Sequence, residues 1–218
     1  MLPVGIVTTE DRNHSLELTL RSLKAGSPEA NIQVFSDLQS GLYWNHKAAW
    51  SRLFEQGDRA LLMQDDVRAS KEWLKTVQLF ADKFPDADVI NFFNPFFSGV
   101  DSDSIARGYE KRCTLWEQSL LIKKSFYEKR TQYIEHPERF EKYVIKKRPG
   151  DYHHDWTVMD AAKHLKAKCI LVTPPFFQHA EEVSTVGNPT KWKGRPRVCK
   201  QYIGDDANAY EYFSEKLK

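Results

Sequence analysis

Short apolar runs rich in β-branched residues alternate with amphipathic segments along the chain, and this alternation constrains the fold more than any other feature. Residues 3–9, PVGIVTT, have the composition of a buried strand. Further strands are predicted at 31–37, 59–64, 88–93, 113–122 and 168–173, and helices at 45–56 and 155–165. Strands that alternate with helices favour an α/β fold: a Rossmann-like, mixed but mostly parallel sheet with helices on both faces.

Several residues next to these segments are typical of helix boundaries. Asn13 or Ser15 is expected to cap the first helix and Gly26 to end it. Gly57 is placed one residue beyond the end of the second helix, and Ser70 is expected to cap the third.

Bulk properties favour one globular domain. The chain has 218 residues, 41% of them hydrophobic and 13% aromatic, which favours a folded chain over a disordered one, and its formal net charge of +2 does not by itself indicate a nucleic acid or a membrane as partner. Three widely spaced cysteines favour a reducing compartment. The apolar run at the N-terminus is too short for a secretion signal, and no segment approaches the ~20 apolar residues of a membrane helix. A soluble, cytoplasmic protein is therefore expected.

Two adjacent carboxylates follow the third predicted strand, in the sequence LLMQDDVRAS. Asp65 and Asp66 come directly after an apolar run, and two like charges in such a place are costly unless a cation neutralises them. Mg²⁺ or Mn²⁺ bridging the pair to a diphosphate would do so, whereas two solvated loop acids or a helix cap are the simpler alternatives. Other polar residues also follow strands, where α/β sheets bind ligands: Thr8, Thr9 and Asp37.

Four segments, in order, resemble the nucleotide-sugar glycosyltransferases of the GT-A fold. QDDV resembles the EDDV form of their acidic motif, with Gln64 in place of the first acid. PVGIVTTEDR resembles their first strand, and NHKAAWSRLFE the helix before the motif strand. TPPFFQHAEEVST is similar to the ending of N-acetylglucosaminyltransferase IV-like enzymes, with Ala180 after the histidine. The resemblance covers about residues 3–187.

The resemblance implies a role for each matching residue. Asp66 would ligate Mn²⁺ or Mg²⁺, His179 would complete the metal shell, and Asp65 would lie near the ribose or donor sugar. A UDP-sugar is the implied donor, and the remaining residues implied to contact it are Thr8, Thr9, Arg12, Asp37 and Lys193. The whole chain would be one hexosyltransferase-type domain, with a nucleotide-binding half (1–93), an acceptor and catalytic half (94–187) and a basic tail (188–218).

A second polar cluster, GDYHHDWTVMD, supplies the candidate base. Inverting enzymes of this fold use one carboxylate near a helix start to deprotonate the acceptor hydroxyl, and Asp155 stands in that place. Asp155 is equally suited to cap the helix, and Asp151 is the alternative base. A metal site formed by His153, His154 and Asp155 is disfavoured because adjacent side chains on an extended segment point to opposite sides.

The acceptor is the least determined part of the function. Residues 190–200, TKWKGRPRVCK, combine basic residues with Trp192, and residues 142–148 add more basic residues. Such segments suit a nucleic acid, a loop closing on the diphosphate, or a plain solvated surface. One hypothesis is transfer to hydroxymethylpyrimidines in DNA, as phage enzymes do in the host cytoplasm, with the base flipped out. A metal-dependent nuclease and a non-catalytic nucleic-acid-binding domain are the alternatives from other classes.

Overall fold

The structure is a computed structural model that describes most of the 218 residues. It describes residues 1–37, 41–93, 106–108, 118–145, 154–180, 199 and 201–217. For some of these it describes the backbone alone: 37, 42, 106–108 and 154–156.

Strands and helices alternate through the described part of the chain, as the sequence predicts. The strands are β1 (Val4–Thr9), β2 (Ile32–Asp37), β3 (Arg59–Gln64), β4 (Val67–Ala69), β5 (Val89–Asn91), β6 (Ala106–Gly108), β7 (Ser119–Lys123), β8 (Cys169–Val172) and β9 (Phe177–His179). The helices are α1 (Asn13–Gly26), α2 (Leu42–Phe54), α3 (Trp73–Lys83), α4 (Lys124–Ile134), α5 (Pro137–Phe140), α6 (His154–His164) and α7 (Ala209–Lys216). A 3₁₀ turn, Glu10–Arg12, joins β1 to α1, and a π-helical turn, Glu141–Ile145, follows α5.

Among the described residues, seven strands form the main sheet in the order β2-β1-β3-β7-β5-β8-β6. β1, β2, β3, β5 and β8 run in one direction, and β7 and β6 run against them. In the register, Thr9 lies opposite Asp37 and Val7 opposite Gln64, so the first three strands end at one edge. β4 and β9 pair antiparallel in a small second sheet. This sheet begins directly after Asp65 and Asp66, which we call the acid pair.

Apolar side chains form one layer on each face of the main sheet, because successive strand residues point to opposite faces. Ile6 and Met63 belong to the layer covered by α1, α3 and α7. Val7 and Leu62 belong to the layer covered by α2, α4 and α6. Helices on both faces of a mostly parallel sheet confirm the predicted fold class.

The helix boundaries differ from the predictions in three places. α1 begins at Asn13 after Arg12, with no side-chain cap, because the 3₁₀ turn leads directly into it. Ser70 does not cap α3, because its hydroxyl donates to the carbonyl of Gly204 and the helix begins at Trp73. α2 ends at Phe54, two residues earlier than predicted, so Gly57 is not the residue that directly follows the helix.

Gly26 does end α1, but the reason is close approach rather than a left-handed turn. A Cβ atom there would lie 2.7 Å from the carbonyl oxygen of Ser70 and 2.9 Å from the Trp73 ring. Only glycine lets α1 approach the segment after the small sheet this closely.

The C-terminal segment, predicted as a basic tail, carries a helix that packs into the core. Phe213 of α7 lies with its ring centroid 5.2 Å from that of Phe80 on α3. A bridge between Lys71 and Asn208 ties the start of α7 to the segment after β4. No helix in the described part of the chain is long and apolar enough to cross a membrane.

Candidate active site

The acid pair lies in a tight connection between the two sheets. Asp65 and Asp66 separate β3 from β4, and β4 pairs with β9 so that Val67 lies opposite His179. The amide of Ala180 donates to the carbonyl of Asp66 at 2.6 Å. Because this pairing fixes both backbones, it holds the second carboxylate next to the imidazole.

One guanidinium supplies the cation that two adjacent buried carboxylates require. Arg12 Nε lies 2.7 Å from Asp65 Oδ1, and Arg12 Nη2 lies 2.9 Å from Asp66 Oδ2. The carboxylate side chains are only 6% and 8% exposed, so each contact is shielded from water. The pKa of Arg12 is raised: its burial lowers it, but the two neighbouring negative charges outweigh that effect.

The two carboxylates differ in acidity although they are neighbours. Burial raises the pKa of Asp65 to about 6, against the opposing effects of Arg12 and of the Thr8 hydroxyl, which donates to Oδ2 at 2.5 Å. Burial also acts to raise the pKa of Asp66, but His179 and Arg12 together hold it below its usual value. Asp66 therefore ionises at lower pH than Asp65 does.

The contacts of His179 determine which ring nitrogen faces the acid pair. Nδ1 lies 2.5 Å from the carbonyl oxygen of Ala180, which can only accept, so Nδ1 carries a proton. Nε2 lies 3.2 Å from Asp66 Oδ2. In a neutral ring these two atoms present lone pairs to each other, so the geometry calls for a proton or a metal ion at Nε2.

These contacts fit a divalent ion held by Asp66 and His179. A metal-binding histidine commonly donates its other N–H to a backbone carbonyl, as His179 does to Ala180. Asp66 Oδ1 is buried and has no hydrogen-bond partner among the described residues. No group of three or more histidine, cysteine or acidic side chains converges in that part of the chain, so a bound ion would take its other ligands from phosphate and water.

Two residues that the sequence analysis did not single out hold the site in place. The Thr19 hydroxyl donates to the carbonyl of Asp65 at 2.8 Å and accepts from the amide of Val67 at 3.0 Å. The Asn45 amide donates to the carbonyls of Thr8 and Phe35, which joins the ends of β1 and β2. A signal for Thr19 exists in the sequence, since this polar residue lies on the helical face that carries Leu16, Leu20 and Leu23.

The other predicted site residues are not all brought together. The Thr9 hydroxyl donates to Asp11 rather than to the acid pair. Asp37 ends β2, and Asp155 lies in the first turn of α6 rather than before it; only their backbones are described. Gln64, in the place of the motif's first acid, accepts a hydrogen bond from Gln118. The remaining predicted residues lie outside the described residues: Asp151, His153, Trp192 and Lys193.

Comparison with solved structures supports the fold. No protein-family model matches the sequence, and no curated protein matches it. The structure of S. aureus TarS 1–349 in complex with UDP-GlcNAc is similar, with a TM-score of 0.53 and 15% identity over 85% of this chain and 60% of that one. A second structure of S. aureus TarS gives 0.51 and 17% over 83% of this chain and 37% of that one. The chain thus spans less than two thirds of the TarS chains that it matches.

A glycosyltransferase involved in glycosylating the major capsid of PBCV-1 is a weaker match. It is 10% identical over 84% of this chain and 94% of that one, and its TM-score of 0.48 is too low to carry an argument. The two TarS structures, with TM-scores above 0.5, are evidence about the fold alone, as are the sheet order and the small sheet after the acid pair. The chain therefore has the GT-A fold of the nucleotide-sugar glycosyltransferases that its sequence resembles.

Proposed function

We propose that the protein is a metal-dependent glycosyltransferase that moves a sugar from a nucleotide diphosphate, most simply UDP, to a hydroxyl acceptor. The observation that carries the proposal is the buried contact between Asp66 and His179, with Asp65 and Arg12 beside it. It lies where three parallel strands end, the edge at which α/β sheets bind ligands. The complex of the structurally similar TarS with UDP-GlcNAc supports a sugar nucleotide as the donor.

Asp66 and His179 would hold Mn²⁺ or Mg²⁺, which when bound offsets the negative charge of the departing diphosphate. Asp65 accepts a hydrogen bond from Thr8 and is ion-paired with Arg12, and its carboxylate would turn toward the ribose or donor sugar when Arg12 contacts the nucleotide. Thr19 keeps the backbone of the acid pair in place while these side chains exchange partners.

Asp155 is the proposed base, and Asp151 the alternative. A carboxylate in the first turn of α6 lies near the positive end of the helix dipole, which favours its ionised form. It would take the acceptor proton as the acceptor oxygen attacks the anomeric carbon from the face opposite the diphosphate, so that configuration inverts. Asp155→Asn should retain donor binding and lose transfer. Transfer that persists within a few-fold would place the base at another residue.

A thermal-shift screen tests the donor. UDP, GDP and their sugars are added with and without Mn²⁺, and a UDP-sugar with Mn²⁺ should raise the melting temperature more than either component alone. Loss of that shift in Asp66→Ala, with the melting temperature of the apo protein retained, would support the assignment. Binding that is unchanged in excess EDTA would contradict it, and Mg²⁺-dependent DNA cleavage without nucleotide would favour a nuclease.

The acceptor proposed is hydroxymethylpyrimidine in DNA, on the basis of the basic segments around Lys193 and at 142–148. Basic residues interleaved with aromatic residues suit a phosphate backbone with an extruded base. Labelled UDP-sugar incubated with hydroxymethylated DNA should label the DNA, and unmodified DNA is the control. Failure with all common donors would contradict this acceptor while leaving the donor assignment in place.

A further inference from the structure

We propose that Arg12 is a tethered counter-ion of the acid pair, which leaves when a divalent ion binds and then contacts the donor diphosphate. The inference rests on the proposed function and adds a mechanism to it: the site exchanges partners rather than simply filling. In the structure the guanidinium pairs with both carboxylates. In the loaded site the divalent ion would hold Asp66, and the guanidinium would pair with phosphate oxygens.

The first argument is competition for the same atom. Asp66 Oδ2 is the oxygen contacted by Arg12 Nη2 at 2.9 Å and also the oxygen facing His179 Nε2 at 3.2 Å. A divalent ion ligated by Oδ2 and Nε2 would place two positive charges within a few ångströms of the guanidinium in a shielded site. Like charges at such separations repel strongly when water is excluded.

The second argument is charge balance. One guanidinium faces two carboxylates, and the contact between Asp66 and His179 Nε2 calls for one further positive charge, a proton or a metal ion. With a divalent ion in that place, the ion and the guanidinium together would exceed the charge of the two carboxylates, and the cluster would carry an excess positive charge. A diphosphate restores the balance, and the planar fork of arginine is well suited to pair with its oxygens.

The third argument is freedom to move. Arg12 ends a 3₁₀ turn whose other two residues, Glu10 and Asp11, are exposed. Its side chain is 11% exposed, more than either carboxylate. Arg12 belongs to neither apolar layer of the sheet, and Thr19 and the β4–β9 pairing hold the backbone of the acid pair, so the guanidinium can change partners while that backbone stays in place.

Mn²⁺ binding without nucleotide, followed by electron paramagnetic resonance, tests the exchange. Arg12→Gln removes the competing cation, so it should bind Mn²⁺ alone at least tenfold more tightly than wild type. At saturating Mn²⁺ it should bind UDP at least tenfold more weakly, because the phosphate contact is lost. The matched control is Arg21→Gln, an exposed arginine of α1 paired with Glu17, which should change neither value.

The outcomes separate the two proposals. If wild type binds UDP with Mn²⁺ but Arg12→Gln binds Mn²⁺ no more tightly, the exchange is wrong and the proposed function stands. If neither Mn²⁺ nor UDP binds to wild type, both are wrong.

A second measurement on wild type does not depend on how the variant folds. The Nε–Hε resonance of Arg12 should shift on addition of Mg²⁺ and shift again on addition of UDP. A resonance that stays unchanged through both additions would overturn the exchange.

Discussion

Two regions of the molecule each bury an arginine, and they satisfy its charge in different ways. In the acid-pair cluster, Arg12 contacts two carboxylates. On the other face of the sheet, Arg130 of α4 is 2% exposed and has no carboxylate partner among the described residues. It donates to the Thr157 hydroxyl at 2.5 Å, and its guanidinium carbon lies 6.0 Å from the centre of the Tyr43 ring.

The difference suggests that the charge of Arg12 is exchangeable for another cation, whereas the charge of Arg130 is structural. A guanidinium held by carboxylates can be replaced by another cation, because those carboxylates bind any suitably placed positive charge. Arg130, held by a hydroxyl and an aromatic face between α4 and α6, has no such alternative partner. We therefore expect substitutions near Arg12 to change ligand binding and those near Arg130 to change only stability.

The largest expected effect is the loss of activity on substitution of Asp66, in the region that we expect to bind the ligand. Asp66→Asn keeps the shape but removes the charge that holds the ion, so UDP-sugar turnover should fall by at least about a hundredfold. The matched control is Asp160→Asn in the other region, where the carboxylate accepts hydrogen bonds from Tyr133 and Tyr143. Equal losses of turnover in both variants would remove the distinction between the two regions.

The pH dependence of stability should reveal the unusual acidity of Asp65. Its pKa is raised to about 6 by burial, so its ionisation disfavours the folded state as pH rises from about 4 to above 6. Urea unfolding at several pH values should therefore show wild type losing stability relative to Asp65→Asn over that interval, by at most about 3 kcal/mol. A difference that grows with pH in favour of wild type would have the opposite sign and would reject this assignment.

Thr19 provides a smaller test of how the acid pair is supported. Thr19→Val should cost about 1–3 kcal/mol of unfolding free energy, because the carbonyl of Asp65 and the amide of Val67 lose their partner. Thr19→Ser retains the hydroxyl and should cost less. Chemical denaturation measures both, and equal costs for valine and serine would show that the methyl group matters more than the hydrogen bonds.

The smallest effect is expected on substitution of Arg130, the buried arginine without a carboxylate partner among the described residues. Replacing a buried charge that lacks an ionic partner by an apolar side chain of similar length is often neutral, so Arg130→Met should change the unfolding free energy by less than about 1.5 kcal/mol. Mn²⁺ binding should stay at the wild-type value. Weaker Mn²⁺ binding in this variant would show that the two regions communicate.

Most of the fold could be predicted from the sequence because its strands are locally encoded. β1, β2 and β3 occur where short apolar runs predict them, and α6 nearly coincides with the predicted helix. The helix caps were less predictable, because a serine near a helix start can form its hydrogen bond elsewhere. The Ser70 hydroxyl, for example, donates to the carbonyl of Gly204, which is distant in the chain. α7 was missed because its buried face is short, and its place depends on Phe80 of a distant helix.

The candidate site was predicted in its members but not in its arrangement. The sequence analysis named Asp65, Asp66, His179 and Arg12, and the structure brings all four into contact. It assigned Arg12 to the nucleotide and overlooked its bond to both carboxylates. A pairing between residues so far apart in the chain leaves no local pattern, and only the register of the folded sheets creates it.

The small sheet of β4 and β9 has a consequence for how the molecule is made and broken. It joins a residue from the first third of the chain to one from the last quarter, so a growing polypeptide cannot complete the imidazole–carboxylate contact until most of it has been synthesised. Each strand is only three residues long, so this ribbon can open while the large sheet stays closed. On mild heating, the ability to bind the ion would then be lost before the whole molecule melts. Amide exchange would be faster in β4 and β9 than in the central strands of the main sheet.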